Sequence, residues 1–392
     1  MKRAILVILL GLIALAAFAE DELEFYTNQF NNALTAVDQL SVLRIVRDAE
    51  IEGAGTFYAS ALSRVLQVYP NLKGNKDIDA ANESIRLITD QLTEEQSDTG
   101  QDLWRVVQTF SNPLVRADAV IALGKVGATD LLPQVVQILK DTNSSPYDNR
   151  LSGERIAYGA IDALAKYKDP SGYLPVFFAA NGWYSQWVKE KATESLSEIL
   201  EDPTEPLIEV IHSGGYTFED KYMALKAIEQ SEVDESSKAK VAMAALYEGW
   251  RGSSYDARLK KELVKMRRLA IDMISRYGIE GAEDEQQIYS LLDRSYRYGV
   301  DEEEHLGTIA ALKNIATEDA AKLLSAYIAL INNKLERGIL TPQDERYMRA
   351  LIPALGSTGN SEGQPVLRHV IALDWSYGIH QIAQEALDNL GE

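Results

Sequence analysis

The chain has 392 residues, no cysteine, and 59 acidic against 39 basic side chains, a net charge of −20. That balance argues against a nucleic-acid partner, whose phosphates demand a basic face, and disfavours adhesion to anionic lipid. Without cysteine there is neither a disulfide nor thiol chemistry. The length exceeds one ordinary globular core, which favours stacked units over a single globule.

Met1-Lys2-Arg3 precedes an apolar run over residues 4–19, which closes with Ala17-Phe18-Ala19 ahead of Glu20-Asp21-Glu22. A basic start, a short apolar core and small residues at the boundary make a secretory signal peptide, cleaved after Ala19. As a membrane anchor the run falls short of the ~20 residues that a spanning helix needs. Export without cysteine fits a bacterial periplasmic or secreted protein, with no stable membrane insertion after cleavage. Loss of Lys2 and Arg3 leaves 37 basic against 59 acidic side chains, a net charge of −22.

Residues 20–99 are expected to form an N-terminal helical cap or irregular first repeats. Phe25, Phe30, Leu34, Val37 and Leu40 read as one apolar stripe, and Tyr58, Ala61, Leu62 and Val65 as another. Residues 78–92 predict a further helix, and residues 94–100 (EEQSDTG) a linker. Sustained alternation of apolar and polar residues is missing throughout, so strands are not expected.

The repeat array is expected over residues 100–392, organised around PLVRADAVIALGKVGATDLLPQVVQILKD at residues 113–141. Val115, Ala119, Ala122, Leu123 and Val126 share one helix face, with Asn112 as N-cap, Pro113 at the first position and Gly127 as the stop. Leu131, Leu132, Val135, Val136 and Leu139 give a second apolar stripe. Such a pair cannot bury its faces alone and needs neighbours. The core Ala119-x-x-Ala122-Leu123 recurs with first positions at Ala160, Ala192, Ala224, Ala270, Thr308, Leu351 and Ala383, spaced 32 to 46 residues apart. Uneven spacing implies loop insertions on a shared unit.

On these residues the chain resembles the HEAT-repeat family, including the bacterial HEAT-like type grouped with phycobilisome lyases. Val115-Arg116 stands in the first helical turn of the phrase, with Lys189, Lys221 and Arg267 at the corresponding places of other copies. The resemblance covers roughly residues 100–392 and implies an all-α, right-handed α-α superhelix, an armadillo-like solenoid of about eight to nine helical pairs. It also implies a basic residue paired with an aspartate in the preceding turn. This chain offers Asn112 there instead, which breaks that expectation. HEAT arrays mostly serve as binding surfaces, so the implied function is a non-catalytic scaffold for a protein or peptide on the concave face.

Two turn-rich insertions, residues 142–153 (TNSSPYDNRLSG) and 250–255 (WRGSSY), are candidate loops on a binding rim or neutral surface turns. Two clusters are candidate binding residues. Trp183, Tyr184 and Trp187 follow Asn181-Gly182 in a turn, where fewer core contacts compete for them, and Tyr and Trp suit peptide or sugar recognition. Trp250 belongs to a second aromatic set with Tyr247 and Tyr255, and Tyr289, Tyr296 and Tyr298 form a third. The helix over residues 256–277 carries the densest basic run. On a helical wheel Arg258, Lys261, Lys265 and Arg268 lie opposite a buried face of Leu259, Leu263, Met266, Ala270, Met273 and Ile274. Such a patch in an acidic chain fits an acidic partner or an anionic cell-wall glycan. The competing reading is a solvated face paired with acids on neighbouring repeats.

Catalytic signatures fail. Ser237-x-x-Lys240 lacks its companion motifs, and no nucleophile elbow, phosphate loop or dinucleotide fingerprint is present. Glu302-x-x-His305 is a lone pair where di-metal bundles need two. Residues 301–304 read instead as acids favouring a helix N-terminus. No catalytic residue, metal or cofactor is expected. The alternatives are a polysaccharide-binding protein and an α/α-toroid enzyme acting on glycans.

Overall fold

The computed structural model describes residues 22–145, 150–252, 256–280, 282 and 284–391. The expected leader, residues 1–19, lies outside them. Among the described residues there are twenty α-helices and a few short 3-10 turns, and no strand. The chain divides into two units, Met1–Glu201 and Asp202–Glu392.

The first unit holds α1 (22–32), α2 (Ala36–Asp48), α3 (Gly55–Val68), α4 (Asn75–Gln91), α5 (Gly100–Thr109), α6 (Pro113–Lys125), α7 (Leu132–Ser144), α8 (Arg150–Tyr167), α9 (Tyr173–Asn181) and α10 (Gln186–Ile199). Here α2, α4, α6, α8 and α10 pack in succession, each on the next. From α3 onward each odd-numbered helix lies against the even-numbered helix that follows it. The second unit holds α11 (Thr204–His212), α12 (Phe218–Gln230), α13 (Glu235–Arg251), α14 (Ala257–Tyr277), α15 (Glu285–Tyr298), α16 (Glu302–Ile315), α17 (Glu318–Glu336), α18 (Pro342–Ser357), α19 (Gln364–Ala372) and α20 (Tyr377–Asn389). Its helices follow the same rule, with α12, α14, α16, α18 and α20 in sequence and an odd partner on each.

All eight copies of the repeated phrase fall on even-numbered helices, α6 to α20. The first position of each (Ala119, Ala160, Ala192, Ala224, Ala270, Thr308, Leu351 and Ala383) is fully buried. Small residues let these helices approach closely. A Cβ on Gly124 of α6 would lie 2.6 Å from the Ala163 Cα of α8, and one on Gly356 of α18 would lie 2.7 Å from the Ala386 Cα of α20. The caps of α6 form as its sequence dictates. Asn112 Oδ1 accepts the Leu114 N–H at 3.0 Å, Pro113 occupies the first turn, and Gly127 takes φ +67° just past the end.

Several local expectations are corrected. The apolar stripe from Phe25 to Leu40 spans a break: α1 ends at residue 32 and Thr35 caps a new helix. Phe30 and Leu40 are buried, whereas Phe25, Leu34 and Val37 are exposed. Residues 94–99 form a 3-10 helix closed by a capping box on Thr93, with Gln96 and Thr99 buried, so no linker lies there. Most of the expected 142–153 loop is helical, because α7 runs to Ser144 and α8 starts at Arg150. Residues 146–149 and 253–255 lie outside the described residues.

Candidate binding surfaces

In the first unit the turn between α9 and α10 folds back on its neighbours. A Cβ on Gly182 would lie 2.7 Å from the Phe178 carbonyl, so the sharp departure from α9 requires glycine. The Trp183 ring stacks on Tyr184 at 4.2 Å, and its indole N–H donates to the Thr142 carbonyl at 3.3 Å. The Tyr184 hydroxyl donates to Asn143 Oδ1 at 2.8 Å, while Asn143 Nδ2 donates to the Pro175 carbonyl at 2.9 Å. Glu154 Oε1 accepts the Ser185 N–H at 3.0 Å. Burial, with the Glu154 charge adding to it, holds the Tyr184 phenol well above the ordinary tyrosine range. Trp183 and Tyr184 therefore clasp the end of α7 rather than stand free in the turn. Trp187, one residue inside α10, stays 44% exposed, with the Tyr158 ring of α8 at 5.0 Å.

On the even helices of this unit, ion pairs cross from one helix to the next. Arg44 meets Glu83 at 2.6 Å, Arg86 meets Asp118 at 2.7 Å, and Lys191 meets Asp162 at 3.0 Å. A groove of about 350 Å³ runs over α2, α4 and α6, with Leu87 and Ile121 among charged walls that include Arg47, Asp90 and Lys125.

In the second unit Trp250 closes α13 as part of a buried network. Its indole N–H donates to Ser295 Oγ at 2.8 Å, and the Arg267 and Arg294 guanidinium carbons lie over its ring, at 4.1 and 4.6 Å from the centroid. Arg267 binds Glu304 twice, at 2.5 and 3.2 Å, and donates to the Gly249 carbonyl at 3.1 Å. Glu304 also accepts the Val300 N–H at 3.1 Å and is fully buried. A second buried pair joins Lys221 to Glu248 at 2.7 Å. Sequence reasoning had assigned Glu304 to helix-end acidity. The signal available was its place directly before His305, in the copy that follows the one bearing Arg267.

The basic run on α14 is largely matched by acids on α12 and α16. Arg268 pairs with Asp301 and with Glu303, and Arg276 pairs with Glu229 at 2.6 Å. Lys265 meets Glu262 of its own helix at 3.0 Å, and Arg258 lies 3.8 Å from Glu219 with its side chain 81% exposed. Lys260 and Lys261 are exposed and make no ion pair among the described residues. Leu259, expected on the buried face, is 38% exposed in the first turn of α14.

Glu302 and His305 diverge. Glu302 pairs with Arg346 at 2.7 Å, and His305 Nδ1 is hydrogen-bonded to the Tyr347 hydroxyl at 2.6 Å. Beside them Tyr296 stacks on Tyr327 at 3.7 Å, and burial raises both phenols far above their ordinary pKa. No group of three potential metal ligands occurs among the described residues. A second groove, of about 480 Å³, runs between α11, α13 and α15, with Ile208, Met243 and Ile288 inside and Glu205, Lys240 and His212 at its margins.

These features define an all-helical protein of paired helices with mixed-charge grooves. No protein-family model matches the chain, and no curated protein matches it. Among solved structures it is similar to human deoxyhypusine hydroxylase in complex with glycerol. The match has 12% identity over 86% of this chain and 97% of that one, and a TM-score of 0.24, which carries no argument about activity.

Proposed function

We propose that the chain is an exported, non-catalytic α-solenoid of the HEAT kind. In this reading it is a right-handed superhelix that binds a protein or peptide partner along its even-numbered helices. The observation that carries the reading is the placement of all eight phrase copies on alternate helices, each with its first position fully buried. The side chains left to meet a partner are Trp187 in the first unit and Arg258, Lys260 and Lys261 in the second. The test is cross-linked affinity purification from the envelope of the source cell, repeated with Trp187→Ala and with Lys261→Glu. A specific protein recovered with the parent chain and reduced in either variant supports the reading. Recovery unchanged in both variants refutes these surfaces, and no reproducible partner refutes the scaffold.

One observation favours a polysaccharide instead: an exposed Trp187 beside Tyr158 forms an aromatic shelf of the kind sugars pack against. Retention on purified wall material that Trp187→Ala abolishes would select that reading.

A further inference from the structure

In the second unit α13 packs on both α11 and α15, and single contacts fix the register of the three helices. The His212 and Tyr247 rings lie 6.2 Å apart, and Ser237 Oγ lies 3.5 Å from Asp202, just ahead of α11. A residue on α11 therefore stands beside the one 35 positions later on α13. Trp250 bonds Ser295, which sets 45 positions between α13 and α15. These offsets place Ile208, Met243 and Ile288 in one apolar row across three helices, along the 480 Å³ groove. They also set Glu205 beside Lys240, and Lys240 near Asp284, the N-cap of α15. Neither Glu205 nor Asp284 forms an ion pair among the described residues, and the charge of Lys240 acts on Asp234, the N-cap of its own helix. The margin is thus net negative. Lys240 Nζ, the Tyr247 hydroxyl and the Gln287 amide line the groove and donate no hydrogen bond among the described residues.

We propose that this groove binds a short basic peptide segment in the extended polyproline-II form, with apolar side chains three residues apart. Its volume falls within the range of about 300–1,000 Å³ typical of ligand sites. The spacing fits. Neighbouring helix axes lie about 8–10 Å apart, and a polyproline-II chain laid across them repeats its face every three residues, or ~9.3 Å. One apolar side chain then sits between Ile208 and Met243, and the next between Met243 and Ile288. Such a chain makes no hydrogen bonds of its own, so its carbonyls need outside donors, which Lys240, Tyr247 and Gln287 supply. A helical peptide would satisfy its own backbone and leave those donors unused. Basic residues flanking the two anchors reach Glu205 at one end and Asp284 at the other. The site lies on odd-numbered helices, so it stands or falls independently of the partner proposed for the even-numbered ones.

Fluorescence anisotropy of the full chain with labelled RPLPPLPR as probe tests the proposal. Saturable binding is expected, weaker for QPLPPLPQ and weaker still for EPLPPLPE. Glu205→Gln, and Asp284→Asn, which keeps a capping side chain, are each expected to weaken RPLPPLPR roughly two- to fivefold and to leave QPLPPLPQ unchanged. Ala244→Arg, at a half-buried position in the groove, is expected to weaken both peptides roughly tenfold or more by filling the space they need. Circular dichroism checks that each variant is folded. RALAALAR, which keeps the charges and leucines but loses the preformed extended shape, is expected to bind more weakly than RPLPPLPR. Failure of RPLPPLPR to saturate the protein by ~1 mM overturns the proposal. So does EPLPPLPE binding as tightly as RPLPPLPR, or an affinity indifferent to Ala244→Arg in the folded variant. RALAALAR binding as tightly as RPLPPLPR overturns it as well, since the extended form would then confer nothing.

Discussion

Glu304→Ala tests the buried network most directly. Glu304 is fully buried and Arg267 nearly so, and the pair is closed by two N–H···O contacts of 2.5 and 3.2 Å. Truncation leaves the guanidinium with the Gly249 carbonyl and the face of Trp250, neither of which carries a compensating charge. Breaking one side of a buried pair costs about 3–5 kcal/mol, because the remaining ion stays desolvated. In a cooperative unit of this size that lowers Tm by roughly 6–20 °C. An exposed pair gives the contrast: Arg258 and Glu219 lie 3.8 Å apart with 81% and 71% of their side chains exposed, so Arg258→Ala is expected to change stability by less than about 1 kcal/mol. Thermal and urea unfolding by far-ultraviolet circular dichroism measures both. The double change Arg267→Met with Glu304→Leu is expected to recover most of the loss, since a well-packed apolar pair of similar volume replaces a buried ion pair at little or no cost. A Glu304→Ala penalty below about 1 kcal/mol would refute the reasoning, since Arg267 would then have found water. A double variant no better than the worse single one would show that the two side chains do not act as a pair.

Leu123→Ala is expected to cost roughly 2–5 kcal/mol, and Gly124→Ala about 1–3 kcal/mol because its new Cβ meets the α8 backbone; a neutral result at both would place the helix contact elsewhere. Burial pushes the Asp344 carboxyl up, but Lys334 Nζ at 2.6 Å and the Thr341 hydroxyl and N–H outweigh it and hold the group below the usual carboxylate range. Its stabilisation is therefore whole above the unfolded value near ~4 and is lost as pH falls through the folded one, so Asp344→Asn is expected to flatten the acid limb of stability against pH. An acid limb unchanged in Asp344→Asn would mean that other carboxylates, such as the similarly lowered Asp162, dominate it. Small-angle scattering tests the solenoid: nine layers at ~9 Å give a radius of gyration near ~26 Å, against about 21 Å for a compact globule, and the lower value would revive the toroid.

The class of fold was legible because it rests on spacing. The Ala-x-x-Ala-Leu core marks the positions where even helices meet, and tight packing leaves few residue types to choose from. Breaks between helices were less legible. The stripe from Phe25 to Leu40 keeps helical period through residues 33–35, so periodicity could not register the Thr35 cap, whose hydroxyl accepts the Asp38 N–H and donates to its carboxylate. Residues 142–144 read as loop because their types favour turns. They stay helical because Thr142 and Asn143 are held by Trp183, Tyr184 and Pro175, none of them near in sequence. The same long-range clasp explains why Tyr184 is buried and Trp183 half-buried, whereas Trp187 is exposed.

At three of the repeats the position three residues before the buried first position holds a side chain that bonds a backbone carbonyl of the preceding odd helix. Arg116 donates from this place to the Val107 carbonyl at 2.9 Å, Arg267 to that of Gly249 at 3.1 Å, and His380 Nε2 meets that of Leu373 at 2.9 Å. Each carbonyl belongs to the closing turn or C-cap of the preceding odd helix, whose last acceptors have no intrahelical donor. A donor side chain there completes the hydrogen bonding and opposes the negative end of the helix dipole. Asn112, the neutral cap of α6, offers no carboxylate, and Arg116 bonds the Val107 carbonyl. Lys221 takes a different route, to Glu248, because an acid on α13 is within its reach. Binding is therefore to be sought in the residues that cap nothing. On α14 these include Lys260 and Lys261, about two turns ahead of the Arg267 network that holds their helix in place.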